Sequence, residues 1–559
     1  MKKKILLISD FTIDNLAGYL SNIKNKIEYQ IFKPKHNNCL SELQQSDKNI
    51  LKNKYDYLFI WSLPDHISYN FKKLYQLNKI KIQSIYSEVD HYSDLIIKRS
   101  KYFKYIFLTN LIVPTSFRGF GINDLKNDYG IHNILNLINL RLAKNLKNIS
   151  NVYIFNSNKW IEKSGNNAFD PISWYTVKIP FSNNVLKEAS LEIQSAIEFL
   201  EGYSKKIIII DLDDTIWGGI VGDVGWENIR LGGHDSYGEA FKEFQRILLN
   251  FKRNGILLAI ASKNEEKIAL NAIKKNEEMI LKQNDFVSWK INWEDKSKNI
   301  LKIMNDLNLG LDSAVFLDDS KSERERVKSS FPEILVPDLP NDPRLYPNFL
   351  NNLQCFNFLD FTWEDQIRSK NYTVEKKRQN LKINIQSEEA WIKNLNIRII
   401  VETLSKKNLN RIYQLFNKTN QMNLSTRRME KDELYSLHKT KNHKFFIFNI
   451  FDKYGDYGLT GISCFKIEKN NVIITDFLLS CRVFNRNIEV AMFYTMIDYA
   501  QSLNLKKLKL KYIKTKKNKP CLDFLNKSKL NCSKKNSDYF WNLDKKFTKP
   551  NNIKIINKL

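Results

Sequence analysis

The chain has 559 residues, of which 43% are apolar and 12% aromatic, and its formal net charge is +27. This composition supplies several packed cores and excludes intrinsic disorder, and at roughly 150 residues per domain it predicts three or four domains. The positive charge comes from lysines spread along the whole sequence, whereas a nucleic-acid-binding protein gathers its charge on one face. We therefore expect no nucleic-acid partner.

The lengths of the apolar runs and the spacing of the cysteines indicate where in the cell the protein is expected. No apolar run approaches the ~20 residues of a membrane span, and the run at residues 5–8 is shorter than the roughly 7–15 residues of a signal-peptide core. The six cysteines include no CxxC pair and no grouping with zinc-site spacing. We therefore expect a cytoplasmic protein with no membrane span, no disulfide framework and no structural zinc.

Residues 1–185 alternate short apolar runs with segments of helical period. Strands are predicted at residues 4–9, 55–62 and 152–156. This alternation is typical of an α/β domain with a parallel sheet.

The second domain is predicted at residues 200–350, where the apolar runs are continuous. The runs at residues 206–210, 255–261 and 313–317 are typical of strands buried on both faces of a parallel sheet. An amphipathic segment at residues 237–250 lies between the first two runs and predicts a β–α–β unit. We expect a Rossmann-like fold here.

A charged helical connector is predicted at about residues 363–395, and a third domain at residues 395–559. This domain opens with a strand, continues with a helix and several strands between residues 445 and 479, and ends with a helix near residues 489–502. The pattern predicts a strand-rich α+β domain. The whole chain is thus predicted to be a multidomain α/β protein.

Clusters of carboxylates follow two of the predicted buried strands. Asp211 and Asp213 come directly after residues 206–210, and Asp318 and Asp319 follow the strand at residues 314–317. Because the carboxyl ends of parallel strands meet in the crevice where α/β folds bind ligands, we expect one acidic site. Carboxylates so close together repel one another unless a cation lies between them, and Mg²⁺ prefers such oxygen ligands.

Two further residues fit a site that handles phosphoryl groups. Ser262 ends the predicted strand at residues 256–261, where its hydroxyl and nearby amides could hold a phosphoryl oxygen. Lys296 begins a helical pattern, and a cation there could neutralise the acidic site and a transferring phosphoryl group. Taken alone, Ser262 is more often a helix-capping serine, and Lys296 is more often a lysine without a catalytic role in a chain so rich in lysine.

The order of these motifs resembles the haloacid dehalogenase superfamily, and more narrowly its FkbH-like branch, subfamily IIIC phosphatases. Asp211 begins DLDDTIWGGIVG, Ile260 begins IASKN, and Phe316 begins FLDDSKSERER. The resemblance extends to NKTNQMNLSTRR, which begins at Asn417, and to TDFLLSCRV, which begins at Thr475. It therefore covers most of the chain.

This resemblance implies a role for each residue of the acidic site. Asp211 would attack phosphorus and form an aspartyl-phosphate, and Asp213 would protonate the leaving group and then activate water. Mg²⁺ would be held by Asp211, Asp213, the latter through its backbone, and Asp318, with Asp319 close by. Ser262 and Lys296 would hold the phosphoryl group. The substrate-binding residues would be Thr215 and Asn264.

The intervals between the motifs leave no room for a separate cap domain, so large partners could reach the site. FkbH-like proteins remove phosphate from a glyceryl unit and load it onto an acyl carrier protein, and we expect a similar task here in polyketide or surface-glycan biosynthesis. A cysteine that some relatives carry before the strand-ending serine is Ala261 in this chain. A plain phosphomonoesterase for a small sugar phosphate and a non-catalytic assembly scaffold are the alternatives.

The flanking domains resemble two other families. The C-terminal domain looks like a Gcn5-related acetyltransferase whose phosphate-binding loop, residues 481–489, has Asn485 and Asn487 where glycines are expected. It would bind coenzyme A or serve in docking, and Arg482 and Arg486 would meet the phosphate of a carrier or of coenzyme A. The N-terminal domain resembles an SGNH hydrolase that has lost its catalytic histidine. Its serine would be Ser9.

Overall fold

The computed structural model describes residues 2–22, 27–45, 54–114, 117–126, 129–356, 387–429, 431–440, 442–515, 517–528, 530–533 and 538–559. The chain divides into two compact units, Met1–Glu198 and Phe199–Leu559. The predicted helical connector lies outside the described residues as far as residue 386. Its final part forms the helix Glu388–Leu395.

The first unit is built around a five-stranded sheet in which every neighbouring pair is parallel. The strand order is β2-β1-β3-β4-β5. The strands are β1 (Lys3–Ser9), β2 (Tyr29–Phe32), β3 (Tyr57–Trp61), β4 (Tyr105–Thr109) and β5 (Val152–Phe155). Every residue of β3 and β4 is buried, which explains their continuous apolar sequences. The predicted parallel sheet is confirmed, and the sequence analysis missed β2 and β4.

Helices cover this sheet and connect its strands. They are α1 (Asp14–Asn22), α2 (Cys39–Gln44), α3 (Pro64–Ile67), α4 (Tyr69–Tyr75), α5 (Ile82–Ser100), α6 (Ile131–Leu146), α7 (Asn158–Ser164), α8 (Pro171–Val177) and α9 (Asn183–Leu200). The long helices α5 and α6 pack their apolar faces into the core around β3 and β4. This is the arrangement expected of strands that alternate with helices.

The second unit begins with a four-stranded parallel sheet of order β8-β7-β6-β9. The strands are β6 (Ile207–Ile210), β7 (Leu257–Ser262), β8 (Phe286–Ile291) and β9 (Ala314–Leu317). The helices are α10 (Val221–Val224), α11 (Ser236–Arg253), α12 (Glu266–Lys275), α13 (Lys296–Asp306), α14 (Lys321–Ser330) and α15 (Tyr346–Asn351). Ile208 and Ile210 pack in a core with α11, and Ile207 and Ile209 in a core with α13. The isoleucines of β6 are therefore buried on both faces of the sheet, as predicted.

A mixed sheet of nine strands forms the rest of the second unit. Its order is β16-β17-β15-β14-β13-β12-β10-β18, with the short β11 paired to β14. The strands are β10 (Ile397–Glu402), β11 (Met422–Asn423), β12 (His443–Asp452), β13 (Gly455–Glu468), β14 (Asn471–Leu479), β15 (Lys507–Lys511), β16 (Asn531–Ser533), β17 (Asp538–Asn542) and β18 (Ile553–Asn557). The helices are α16 (Glu388–Leu395), α17 (Leu409–Lys418), α18 (Lys431–Lys439), α19 (Ile488–Ser502) and α20 (Lys519–Lys527). The predicted mixture of strands and helices is confirmed.

The parallel strands β14 and β15 are joined through α19, and they pair only over the first half of β14. Beyond that point β11 pairs with the end of β14, and Ile513 donates its amide hydrogen to the carbonyl of Leu424 at 2.9 Å. The segment around β11 therefore lies between the two strands where they separate. Among the described residues, none of the helices combines the length and the apolar character needed to cross a bilayer.

Candidate active site

Asp211 and Asp318 follow two neighbouring strands of the four-stranded sheet, the central β6 and the edge strand β9. β6 and β9 are adjacent and parallel, with Ile210 opposite Leu317. The amide of Asp211 donates to the carbonyl of Leu317 at 3.0 Å, so the register continues into the first carboxylate. The pairing brings two acidic motifs that are about a hundred residues apart in sequence to one edge of the sheet. This is the crevice that the sequence predicted.

Lys296 links the two carboxylates. Its ammonium nitrogen lies 2.9 Å from Oδ2 of Asp211 and 2.7 Å from Oδ2 of Asp318. The side chain is only 4% exposed, and Asp295 caps the helix that starts at Lys296 by accepting from the amide of Ser297. Burial opposes the charged form of Lys296, yet the two carboxylates raise its pKa above the ordinary value. Lys296 therefore stays charged in the site.

Three carboxylates could hold a metal ion. Asp211, Asp318 and Asp319 each offer an oxygen atom, and these atoms lie within 4.8 Å of one another. Among the described residues, the buried Oδ1 of Asp211 has no hydrogen-bond partner. A buried carboxylate oxygen without a donor is costly, and a hard divalent cation at this point would remove that cost. The donor set of this site therefore fits Mg²⁺.

The pKa values of the carboxyl groups in this site reflect their burial and their mutual repulsion. Burial, followed by the negative charge of Asp211, raises the pKa of Asp318 to about 7. The same two causes raise the pKa of Asp319. Thr215 holds Asp319 in place, because its hydroxyl donates to Oδ1 at 3.2 Å and accepts from the amide of Asp319 at 3.1 Å. The hydroxyl of Thr215, predicted to bind substrate, is thus directed to a candidate metal ligand.

The carboxylate of Asp213 is directed to a different set of partners. Its Oδ1 accepts from the indole nitrogen of Trp217 at 2.8 Å and from the amide of Val221 at 3.1 Å. Its Oδ2 accepts from the side-chain amide of Asn264 at 2.9 Å. Burial raises the pKa of Asp213 above the ordinary value. Asn264, predicted to bind substrate, therefore orients the predicted acid–base group.

Ser262 and Ala261 end β7 on different sides of the sheet. Ser262 is buried at the carboxyl edge, and its carbonyl accepts from the amide of Asn292 at 3.1 Å. The side chain of Ala261 belongs to the core on the α13 face. A cysteine at position 261 would therefore sit in that core.

The chain next to the site contains no inserted cap domain between residues 213 and 262. Between Asp213 and Ser262 the chain holds only the hairpin-like pairing of Gly218 with Arg230, the short α10, α11 and β7. Trp293 lies three residues before Lys296 and is 76% exposed. The absence of a cap domain in this described stretch is as predicted.

Arg324 was missed by the sequence analysis. Its guanidinium donates to the carbonyl of Asp318 at 2.8 Å and to that of Asp319 at 2.6 Å. It therefore fixes the backbone that carries two of the three carboxylates. Its position in the first turn of α14 was the available signal, since such a residue lies beside the strand end that precedes the helix.

The two arginines of the C-terminal loop have different surroundings. Arg482 is half-buried and lines a cavity between the two sheets of the second unit. Arg486 is buried, with its guanidinium 5.6 Å from the ring centre of Trp391 and 5.4 Å from that of Tyr457. These aromatic contacts explain the burial of Arg486 as packing.

The candidate serine of the first unit is directed inward. Ser9 is buried at the end of β1, and its hydroxyl donates to the carbonyl of Phe11. Asp170, an acid of the same unit, caps α8 by accepting from the amide of Ser173 at 3.0 Å. Both polar groups thus have local structural partners.

Solved structures provide the comparisons with known proteins. The N-terminal part of protein BF1531 from Bacteroides fragilis, which contains a phosphatase domain complexed with Mg, is 29% identical over 64% of this chain and 95% of that chain, with a TM-score of 0.58. A domain from Methanocaldococcus jannaschii also matches, at 12% identity over 26% of this chain and 99% of that chain, with a TM-score of 0.23. Spermidine N-acetyltransferase from Vibrio cholerae matches at 15% identity over 26% of this chain and 96% of that chain, with a TM-score of 0.22. No family model and no curated protein matches the chain. The likeness to BF1531 shows that this chain carries an α/β fold of the phosphatase-domain type.

Proposed function

We propose that the second unit is a Mg²⁺-dependent phosphatase of haloacid dehalogenase type that acts on a phosphate ester. One observation carries the proposal: the buried Oδ1 of Asp211, which has no hydrogen-bond partner among the described residues, belongs to a group of three carboxylates. The likeness to a phosphatase domain complexed with Mg supports the same reading. Asp211, Asp318 and Asp319 would hold the ion, which when bound neutralises negative charge on the phosphoryl group.

The reaction would pass through two displacements at phosphorus. An oxygen of Asp211 attacks phosphorus while the bond to the leaving alcohol breaks, and Asp213 gives its proton to that alcohol. Asp213 then takes a proton from water, whose oxygen attacks the phosphorus of the aspartyl-phosphate. Inorganic phosphate leaves, and Asp211 is restored. The raised pKa of Asp213 supports its role as the acid of the first step.

Lys296 and Ser262 would bind the phosphoryl group. Lys296 already sits between Asp211 and Asp318, within ion-pair distance of both. An ammonium group there offsets the repulsion between the carboxylates and an incoming dianion. Ser262 ends the neighbouring strand β7 at the same edge, where its hydroxyl would donate to a phosphoryl oxygen.

For the substrate, we infer a phosphoglyceryl-type unit that is transferred to an acyl carrier protein after loss of phosphate. The absence of a cap domain between Asp213 and Ser262 supports a large partner, because no inserted domain there would block its approach. The FkbH-like motifs of the sequence support the same class of substrate. A pathway to a polyketide or surface glycan would use such a product.

A phosphatase without acyl transfer is the second candidate. Ala261 occupies the position of the cysteine that would suit a thioester, and its side chain lies in the core. This observation favours a simple phosphomonoesterase that acts on a small sugar phosphate. A non-catalytic assembly scaffold is the third candidate, and it predicts that the protein turns over no phosphate ester.

The first experiment compares Asp211→Asn with Asp214→Asn in Mg²⁺-dependent phosphate release. Asp214 is the matched control, because it is exposed, has a left-handed φ of 51° that asparagine tolerates, and uses Oδ1 to accept from Gly219. We expect Asp211→Asn to abolish release and Asp214→Asn to keep it. Equal activity of Asp211→Asn and the native protein would contradict the phosphatase proposal.

The second experiment separates the two enzyme candidates. The protein is incubated with Mg²⁺, 1,3-bisphosphoglycerate and a holo acyl carrier protein, and both proteins are examined by intact-mass spectrometry. A glyceryl adduct that is absent with Asp211→Asn supports loading of the carrier. Phosphate release without an adduct on either protein supports the phosphomonoesterase, and no turnover of any phosphate ester supports the scaffold.

A further inference from the structure

The mixed sheet of the C-terminal domain contains a place where two parallel strands separate. β15 pairs with β14 only from Asn471 to Ile474, and β14 continues to Leu479. The loop at residues 481–489, which the sequence analysis expected to grip the phosphates of coenzyme A, follows β14 directly. A coenzyme held by that loop would place its pantetheine arm beside the end of β14. The arm contains two amide groups, and such groups bind to an open strand edge as a peptide does.

The end of β14 is already paired within the chain. β11 pairs antiparallel with the last two residues of β14, and the amide of Leu424 donates to the carbonyl of Phe477 at 3.3 Å. On the other side, the carbonyl of Leu424 accepts from the amide of Ile513, two residues beyond β15, at 2.9 Å. The side chains of residues 422–424 are buried. This segment therefore bridges the two separating strands and uses the backbone groups that an amide-containing arm would need.

Side-chain amides hold the bridging segment in place. Oδ1 of Asn423 accepts from the amides of Ser425 at 3.2 Å and Thr426 at 2.8 Å. The side-chain nitrogen of Asn423 donates to the carbonyl of Thr419 at 3.0 Å. Asn518, which is fully buried, donates from its side chain to the carbonyl of Asn423 at 3.0 Å. Displacement of the segment would leave these buried groups without partners, which is costly.

The loop that follows β14 already uses an amide at the start of α19. Glu489 lies in the first turn of this helix, where amide groups would face the phosphates of a coenzyme. Burial raises the pKa of Glu489, and its own backbone amide opposes this rise by donating to the carboxylate. The charge of Arg486, which was expected to meet a phosphate, acts on the same carboxylate. A phosphate here would compete with Glu489 for both groups.

The chain around the bridging segment also contacts the four-stranded sheet. The side chain of Asn420, two residues before β11, donates to the carbonyl of Gly202, which precedes β6, at 3.2 Å. Beyond β15, Lys517 forms an ion pair with Asp312, which precedes β9. Both contacts are at the amino edge of the four-stranded sheet. The chain that closes the strand edge therefore anchors one sheet of the second unit to the other.

We propose that residues 422–424 are a built-in strand that docks the C-terminal domain onto the four-stranded sheet, and that this domain does not bind coenzyme A. Two independent features carry the proposal: β11 closes the strand edge, and Glu489 occupies the helix amide. The coenzyme thus does not fit the residues present, and we assign no acyl transfer from it to this domain. The proposal does not rest on the phosphatase chemistry, because none of these residues belongs to the acidic site.

The first test is calorimetric titration of the full-length protein with dephospho-coenzyme A in the presence of EDTA. This probe keeps the pyrophosphate and the pantetheine arm but lacks the terminal phosphate ester that the acidic site could recognise. We expect no saturable binding up to about 1 mM. Saturable binding of the probe below that concentration would overturn the proposal.

Hydrogen–deuterium exchange of the native protein tests the built-in strand. Without a ligand, the peptides that contain Leu424 and Ile513 should exchange as slowly as those of the core strand β12. The probe should leave this exchange unchanged. Rapid exchange there would contradict a built-in strand, and protection that appears only with the probe would show that the edge is open to a ligand.

A variant of the segment tests its docking role. Asn423→Ala removes three hydrogen bonds and should speed exchange at Leu424 and Ile513 by about tenfold or more. Exchange at residues 202–206 should rise as well, because Asn420 loses its fixed position. Asn470→Ala, in an exposed turn, is the matched control and should change nothing. Native exchange in Asn423→Ala contradicts the proposal, and if this variant does not fold, the titration and the exchange of the native protein still decide.

Discussion

Asn264 donates a hydrogen bond of 2.9 Å to Oδ2 of Asp213, although the two residues follow different strands. The other oxygen of Asp213 accepts from Trp217 and from the amide of Val221. Three donors from two segments of the chain thus fix one carboxyl group. The proposed acid–base group is oriented before a substrate arrives, which is the condition under which a positioned acid is most effective.

Replacement of Asn264 by alanine should lower kcat by about tenfold or more, because a hydrogen bond to a charged group contributes about 1.5–3 kcal/mol. The expected cause is a misdirected Asp213 and not a lost metal ion. The concentration of Mg²⁺ that gives half-maximal activity should therefore stay unchanged. Asn264→Asp keeps the oxygen that accepts from the amide of Glu265 but loses the donor to Asp213. If Asn264→Asp keeps native kcat, the orienting role of the amide is refuted.

Thr215→Val should weaken the binding of Mg²⁺ without slowing the chemical step. The hydroxyl of Thr215 both donates to and accepts from Asp319, and valine has nearly the same shape without that hydroxyl. We expect the half-maximal Mg²⁺ concentration to rise by about tenfold, with kcat at saturating Mg²⁺ close to native. A titration of activity with Mg²⁺ measures both quantities. Thr215→Ser keeps the hydroxyl and should behave as the native protein, and an unchanged Mg²⁺ titration for Thr215→Val would count against this role.

Stabilisation of the protein by Mg²⁺ should increase as the pH rises from 5 to 8. Burial and the charge of Asp211 raise the pKa of Asp318 to about 7, far above the value of an unfolded aspartate. The folded protein therefore binds more protons than the unfolded chain in this window, so without metal its stability falls as the pH rises. Mg²⁺ replaces the proton, and its apparent affinity should rise by at most about tenfold per pH unit below pH 7 for each proton displaced.

The measurement is the melting temperature with and without Mg²⁺ at several pH values. The increase caused by Mg²⁺ should be small at pH 5 and larger at pH 8. Asp318→Asn serves as the control, because it removes the titrating carboxyl group and should flatten the pH dependence. An increase that is the same at pH 5 and pH 8 in the native protein would exclude a raised pKa at this site.

The sequence was most informative where the chemistry is local to a strand end. The four isoleucines before Asp211 predicted a strand buried on both faces, and the register of β6 and β9 places Asp318 beside Asp211. Hydrogen bonds between side chains that are distant in sequence could not be predicted from the sequence. Thr215 and Asn264 were expected to bind substrate, yet their polar groups contact Asp319 and Asp213. Sequence spacing does not show which way a side chain points.

The cavity between the two sheets shows the same limit. Lys206 and Arg411 both line it and are about two hundred residues apart in a chain rich in basic residues. No charge pattern along the sequence distinguishes them from exposed lysines and arginines. Their proximity depends on how the two sheets of the second unit pack, which is a tertiary property.

Asn487→Ala should loosen the start of α19, and Asn487→Gly should not. Asn487 precedes this helix with φ 57°, and Asn485 has φ 59°, so both asparagines adopt the left-handed conformation expected of glycine. A residue with a β-carbon other than asparagine or aspartate is strained there by about 1–2 kcal/mol. Hydrogen–deuterium exchange of the full-length protein resolves α19 from the other helices. Faster exchange near Ile488 is expected for Asn487→Ala alone, and equal protection in both variants would show that the backbone conformation of this loop imposes no constraint.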